Sequence, residues 1–396
     1  MKMMHLLPGL LPEAGGPSRS VPRLCEELGR QGHEVELWTF SEGEPNKQWT
    51  AFELVRFRGF MGRPELPGTA FLKATGRELG RFDVVILHGL WNVPATWVAR
   101  RCREIGIPYV VSPMGMLRRA AMKKSASKKK AYYAALERAT MDGAAFVRYF
   151  NETDAHESMA VTGPAMAVEL IANGIDHSIA HSQRTSFKAE YSQLTNKRIV
   201  VFVGRLHWSK NLRLQCDAFR LLAQGQPEVA WLLIGPDGGE REWLEAEVAR
   251  LGLTDRVVFA GLQTEDRCLD ALAEAEVFAM TSLHEGHSMA MNEALAMGVP
   301  VVMTRSVGFE RAAVAGAAIL VDSEASAVAA AVQKVLENGQ LADEMRSRAK
   351  RLVKEELGWE RIAERFVEAI ERHAKIRAAG EHRGTEPSRC QHKDSA

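Results

Sequence analysis

The chain carries almost no net charge: 51 Lys and Arg against 50 Asp and Glu leave +1. No global field therefore draws it to nucleic acid. Cysteine is sparse. Cys25, Cys102, Cys216, Cys268 and Cys390 are scattered, with neither disulfide-framework nor zinc spacing. A reducing compartment is expected. No apolar run approaches the ~20 residues that cross a bilayer. Residues 1–7 lack a signal peptide's pattern and read as a first strand, so a cytosolic protein is expected. There is no Asp-x-Asp string and no His/Cys cluster, so no metal is expected. No Gly-x-Gly-x-x-Gly loop supports a nicotinamide enzyme. No Gly-x-Ser-x-Gly elbow supports a hydrolase.

What is present is an alternation of short apolar strands with helical stretches over 396 residues, a length that suits two domains. Strands are expected at Met3–Pro8, Glu34–Phe40, Glu53–Phe57, Asp83–His88, Pro108–Ser112, Ala145–Phe150 and Ala167–Ile171. The pattern restarts at Arg198–Gly204 and recurs at Ala230–Gly235, Val257–Gly261, Val277–Thr281, Val299–Thr304 and Ala318–Val321. Such alternation predicts α/β architecture, with two doubly wound parallel sheets. The expected domains are residues 1–174 and 175–358, joined at the turn-forming Asn173-Gly174-Ile175-Asp176. An amphipathic helix over 359–376 and a disordered tail over 377–396 complete the chain.

The most informative stretch is Ser282 to Val302. It reads as strand end, glycine loop, short helix, glycine stop and new strand. Ser288 is the expected N-cap, Gly298 the stop, and Pro300 cannot continue the helix. The helix N-terminus suits a phosphate. Glu293, inside the helix, can accept two hydrogen bonds from a ribose diol. Glu285, on the loop, can lie beside a sugar ring. Alone, each glutamate also reads as an ordinary surface acid.

Arg205 leaves the strand that opens the second half, and Lys210 follows at a helix start. Open α/β sheets bind ligands at that edge. Two cations there would neutralise a diphosphate leaving group. In the first half, Gly15 and Gly16 precede a helix, and they serve either a turn or a phosphate. His88 ends a strand beside Gly89 and would face the cleft, although a lone histidine is usually structural; Trp91 and Asn92 read as lining an acceptor side, and Trp91 equally as a packed aromatic.

These strings resemble the family 4 retaining glycosyltransferases of the two-domain GT-B fold. Glu285 and Glu293 match the Glu-x7-Glu signature, although Ser288 stands where many members have a small glycine. Arg205, Lys210 and Asn211 match a Gly-Arg…Lys-Asn pattern, and Asn173-Gly174 a string that precedes the second domain. Ser112-Pro113-Met114-Gly115-Met116-Leu117 is similar to strings in members that build bacterial surface polysaccharides. The resemblance implies two facing Rossmann-like domains, with the last helix packed back on the first. It also implies transfer of a sugar from a nucleotide-diphosphate-sugar to a glycan or lipid-linked hydroxyl, without cofactor or metal. Catalytic roles would fall to Glu285 and His88. Donor contacts would fall to Arg205, Lys210, Glu293, Ser288, Gly15 and Gly16, with the leaving diphosphate accepting the acceptor's proton.

Arg118, Arg119, Lys123, Lys124, Lys128, Lys129 and Lys130 form a basic stretch without an acid. It reads either as a solvated helix face or as a patch for anionic lipid on the inner face of the cell membrane. Nucleic acid is not expected, since interleaved aromatics are absent. Two other functions remain open on sequence: another GT-B enzyme, such as an epimerase or phosphorylase, and a non-catalytic carbohydrate or nucleotide-binding module.

Overall fold

The computed structural model describes residues 1–10, 16–40, 49–123, 125–163, 167–176, 179, 185–283 and 285–381, with only the main chain at 64, 65, 120 and 374–381. Gly15, Lys124 and the tail from 382 lie outside the described residues.

Among the described residues the first half supplies nine strands in chain order. They are β1 Lys2–Leu6, β2 Glu34–Thr39, β3 Glu53–Arg56, β4 Gly59–Phe60, β5 Arg63–Pro67, β6 Val84–His88, β7 Tyr109–Ser112, β8 Phe146–Tyr149 and β9 Val168–Leu170. Seven of them form one parallel sheet, ordered β3-β2-β1-β6-β7-β8-β9, and β4 pairs with β5 as a small antiparallel ribbon. The second half adds β10 Arg198–Val203, β11 Val229–Ile234, β12 Val257–Gly261, β13 Ala275–Met280, β14 Val301–Thr304 and β15 Ala318–Val321. Their parallel order is β12-β11-β10-β13-β14-β15. All six residues of β11, VAWLLI, are buried, as expected where helices cover both faces of a sheet.

In both sheets the strand order reverses beside the first strand, between β1 and β6 and between β10 and β13. Loops diverge at such a point and leave a crevice at the strands' C-terminal ends. The strings at Gly16, His88, Arg205 and Glu285 leave β1, β6, β10 and β13, the strands at these two places.

The helix Trp359–Glu381 ties the halves together. Ile362, Phe366 and Ile370 belong to one apolar cluster with Met3 and Phe146 of the first half and Ile199 and Leu295 of the second. Arg365 donates to the Leu170 carbonyl at 2.9 Å, and Arg372 and His373 reach Glu169 at 2.5 and 2.7 Å. The helix runs past Arg377, where a disordered tail was expected, because Ala378 and Ala379 are strong helix formers. The connection at Asn173 is clamped. Buried Arg148 donates to the Ile171 and Ala172 carbonyls and to Asn173 Oδ1, and Asn292 donates to the Asn173 carbonyl at 3.0 Å. A Cβ at Gly174 would lie 2.5 Å from the Trp359 ring. Only glycine fits there.

The β4–β5 ribbon was not expected from sequence, and neither were the short helices Arg119–Lys123 and Glu310–Val314 or the helix Gly339–Leu352, capped by Asn338, which accepts from Leu341 N at 3.0 Å. The helix Ala126–Tyr132 runs on into a π-helical turn at Tyr133–Glu137.

Candidate active site

Residues 204–211 lie together with 281–283 and 285–288 because their strands, β10 and β13, are neighbours. A Cβ on Gly235 would sit 2.1 Å from the Gly204 carbonyl oxygen, so glycine allows the β10 and β11 ends to close. Lys210 follows in a short helical turn, Trp208–Lys210, and Asn211 caps the next helix in the left-handed region at φ 52°. Asparagine tolerates that conformation better than most residues, which accounts for a Lys-Asn pair here. Thr281 Oγ1 donates to the Lys210 and Asn211 carbonyls, and Leu283 N donates to the Ser209 carbonyl at 2.9 Å. The two loops are thereby knitted into one platform.

On that platform Lys210 Nζ meets Glu285 Oε1 at 2.5 Å, and Ser282 Oγ donates to the same oxygen at 2.6 Å. Both side chains are largely shielded from water, which strengthens the pair over an exposed one. Arg205 is exposed at the same strand end. The helix Met289–Ala296 begins next to Glu285, and Ser288 caps it by accepting from Met291 N at 3.3 Å. Glu293, one turn in, is only 3 % exposed. Burial pushes its carboxyl above the ordinary range, and Arg19 pulls it part of the way back. Arg19 belongs to the helix Pro17–Arg30 of the first half, and its Nη2 donates to Glu293 Oε1 at 2.6 Å.

The first half presents Gly16 as N-cap of that same helix. Its φ is −50°, and a Cβ there would meet no described atom within 4 Å. His88 ends β6 as expected, but its ring turns inward. It is 1 % exposed, stacks on His5 at 5.2 Å between centroids, and its Nε2 lies 3.0 Å from His5 Nδ1. Burial and the His5 ring hold His88 well below the usual imidazole range, so it is neutral at pH 7. Facing the cleft was expected of it; its Nε2 is taken up by His5, and its Nδ1 has no partner among the described residues.

Asn92 is buried, and its Oδ1 accepts from Ala95 N at 2.8 Å as N-cap of the helix Val93–Ile105. Arg118 is not part of an exposed basic patch. It is 1 % exposed, donates to the Glu285 and Ser306 carbonyls, and pairs with Glu157 at 3.2 Å. Arg119, Lys123, Lys128 and Lys130 are exposed, whereas Lys129 Nζ donates to the Ala121 carbonyl at 2.6 Å. Trp91 is held with φ 64°, rare for a bulky residue. Its N–H donates to the buried Glu137 carboxylate at 2.7 Å, and its ring meets Tyr132 at 6.0 Å.

Sequence reasoning missed Arg19, Arg118, Asn151 and Glu137. Arg19 could have been suspected from its place one turn after the Gly15-Gly16 pair; the others carry no local signal.

Two doubly wound sheets, with a capped helix, a buried acid and a Lys–Glu pair at their facing edges, define a GT-B glycosyltransferase scaffold. The family model "Glycosyl transferases group 1" matches residues 183–352, and "Glycosyl transferase 4-like domain" matches 15–174. The chain therefore belongs to the family 4 glycosyltransferases of the GT-B fold. It is 29 % identical over 234 residues to a 2-deoxystreptamine glucosyltransferase of Streptomyces kanamyceticus, covering 55 % of this chain and 58 % of the relative. It is 25 % identical over 313 residues to a D-inositol 3-phosphate glycosyltransferase of Mycolicibacterium smegmatis, covering 73 % and 71 %. Among solved structures it superposes on Anabaena HepE in complex with UDP and glucose. That match has a TM-score of 0.73 and 18 % identity, and covers 94 % of this chain and all of that one. No helix among the described residues is long and apolar enough to cross a membrane.

Proposed function

We propose that this glycosyltransferase moves a sugar, with retention, from a nucleotide-diphosphate-sugar to a hydroxyl of a glycan or lipid-linked acceptor. The observation that carries this reading is the joined Lys210–Glu285–Ser282 cluster beside the Ser288-capped helix that carries Glu293. Lys210 and Arg205 would neutralise the diphosphate as the sugar–phosphate bond breaks, with the helix N-terminus supplying further donors. Positive charge from these side chains leaves no task that requires a metal ion. Glu293 would take the ribose diol. Open space before Gly16 would admit the donor phosphates from the other half.

Glu285 would lie against the donor sugar. His88 would reach the sugar only through Nδ1, which has no partner among the described residues. The leaving phosphate oxygen would take the acceptor's proton on the same face of the sugar. HepE is described with UDP and glucose, which supports a nucleotide sugar as the donor class. The Ser112–Leu117 string favours a surface glycan or glycolipid as product, made at the inner face of the membrane. Lys123, Lys128, Lys130 and Arg119 would then touch anionic lipid.

The test is a thermal-shift screen of nucleoside diphosphates and their sugars, followed by turnover of the best donor with and without EDTA. Stabilisation by a nucleotide sugar, a product of unchanged anomeric configuration and indifference to EDTA are expected. Formation of an epimer from the donor alone would instead favour an epimerase. No ligand-induced stabilisation and no turnover would favour a binding module that kept the fold.

A further inference from the structure

The loop that carries Glu285 belongs to the second half, but the first half holds its main chain. Arg118 Nη1 donates to the Glu285 carbonyl, and Asn151 Nδ2 donates to the next carbonyl, that of Gly286, at 3.1 Å. The same Arg118 donates through Nη2 to the Ser306 carbonyl at 3.4 Å, and Ser306 Oγ donates to the Ser282 carbonyl at 2.7 Å. Every donor nitrogen of the Arg118 fork is engaged, since Nε lies 3.2 Å from Glu157 Oε2.

Steric contact points the same way. A Cβ on Gly115 would lie 2.9 Å from Gly286 Cα, and one on Gly286 would lie 3.1 Å from the Met114 carbonyl oxygen. Met114 and Gly115 are both in the left-handed region, at φ 56° and 76°, so this turn is shaped to press on the loop. His287 then fills the space between Phe150 and Phe309, one ring from each half, at 5.8 and 5.3 Å between centroids. Three independent contacts across the halves thus converge on Glu285, Gly286 and His287.

The fixed geometry has a consequence for the Glu285 carboxylate. Lys210 and Ser282 hold one of its oxygens, Oε1, from the second half, while Arg118 and Asn151 hold the Glu285 and Gly286 carbonyls from the first. We propose that Arg118 and Asn151 are positioning residues that place Glu285 when the two halves close, so that alignment of the acid depends on closure. This rests on the reading above that Glu285 faces the donor sugar. It gives the Ser112–Leu117 turn and the arginine that follows it a role inside the site.

Among the described residues, the groups proposed to bind diphosphate, Lys210 and the Ser288 cap, make no hydrogen bond to Arg118 or Asn151, so binding and turnover separate. Asn151→Asp keeps the cap of the helix Glu152–Thr162, which Asn151 Oδ1 forms with Asp154 N at 2.7 Å, and loses only the donor to Gly286. Arg118→Lys keeps a cation beside Glu157. Thr153→Val removes a different contact between the halves, Thr153 to Glu310 at 2.9 Å, and leaves the loop alone.

Three measurements are made on the full chain. Hydrogen exchange is followed over residues 282–288 without ligand. UDP, GDP and ADP affinity is measured by calorimetry. Release of nucleoside diphosphate to water is measured from the nucleotide sugar that most raises the wild-type melting temperature. Asn151→Asp and Arg118→Lys are expected to speed exchange in the loop, leave nucleoside-diphosphate affinity unchanged, and lower kcat by about tenfold to a hundredfold. Thr153→Val is expected to do none of these. Combined with Glu285→Gln, neither variant should lower kcat further, since both act through that acid. Unchanged exchange in both variants overturns the proposal, as does a Thr153→Val effect of equal size. So does unchanged turnover in both when Glu285→Gln has lost it. If Glu285→Gln itself keeps full turnover, the reading of Glu285 is what fails.

Discussion

Arg19 of the first half and Glu293 of the second meet at 2.6 Å, joining a half-exposed guanidinium to a carboxylate withdrawn from water. Glu265 adds a second acid at 3.3 Å from the same guanidinium. Arg19→Ala would leave Glu293 buried and unpaired. Because Arg19 is partly hydrated, the expected loss is below the full value for a buried pair, about 1–3 kcal/mol. A fall in Tm of several degrees by calorimetry is expected, with most of it recovered in Arg19→Ala/Glu293→Gln. Recovery distinguishes an unpaired charge from lost packing of the arginine stem.

The same carboxylate is proposed to hold the ribose, and that role has its own readout. Glu293→Gln should weaken binding of a nucleoside diphosphate by about tenfold to a hundredfold, the worth of a hydrogen bond to a charged acceptor. The corresponding 2′,3′-dideoxy nucleotide should bind both proteins equally. Equal weakening for both ligands would point to a disturbed helix rather than to a lost diol contact.

Lys210 is shared between Glu285 and the proposed diphosphate. Lys210→Gln removes the cation and leaves Glu285 with Ser282 alone. Affinity for UDP should fall by about tenfold or more, in line with a charge-assisted contact. Affinity for uridine, which has no phosphate, should not change. Calorimetry with the two ligands reads the difference directly.

The strands and the Glu285–Glu293 string were legible because their signals are local. Apolar runs of four to six residues, a serine before a short helix and a glycine after it need no distant partner to be read. The grip on the loop was not legible. Arg118 looked like one more cation in a basic stretch because its acceptor, the Glu285 carbonyl, is 167 residues away. Asn92 offers a second lesson. Its side chain is polar and lies at the cleft edge, yet the helix that follows claims it as a cap. His88 was placed correctly along its strand, but its contact with His5 was not legible, since that ring comes from the neighbouring strand.

Glu137 makes stability depend on pH. Burial pushes its carboxyl up to about 7, and the Trp91 N–H offsets only part of that. The folded state therefore favours the protonated acid more than the unfolded chain does. Stability from this group is complete below the ordinary value of 4.5 and is lost as pH rises through about 7. Glu137→Gln keeps an acceptor for Trp91 and cannot ionise. Wild type and variant should have similar Tm at about pH 4.5, and wild type should fall behind as pH rises, by up to roughly 3 kcal/mol. A Tm difference that stays flat across this range would remove the assigned role of Glu137.

Membrane contact through the remaining basic stretch can be tested by charge reversal. Arg119, Lys123, Lys128 and Lys130 are exposed on adjoining helical segments, Arg119–Lys123 and Ala126–Tyr132. A basic residue near an anionic bilayer contributes about 1 kcal/mol, so four of them suffice for a reversible attachment. Lys123→Glu/Lys128→Glu/Lys130→Glu should abolish co-sedimentation with vesicles containing phosphatidylglycerol, and wild type should not sediment with pure phosphatidylcholine. Raised salt should release the wild type as well, because exposed charges beyond a Debye length of about 8 Å are screened. Salt-resistant binding would instead implicate the exposed Leu136 and its neighbours on the following turn. No binding to either vesicle would leave the lysines as a solvated helix face, the bland reading that their sequence also allows.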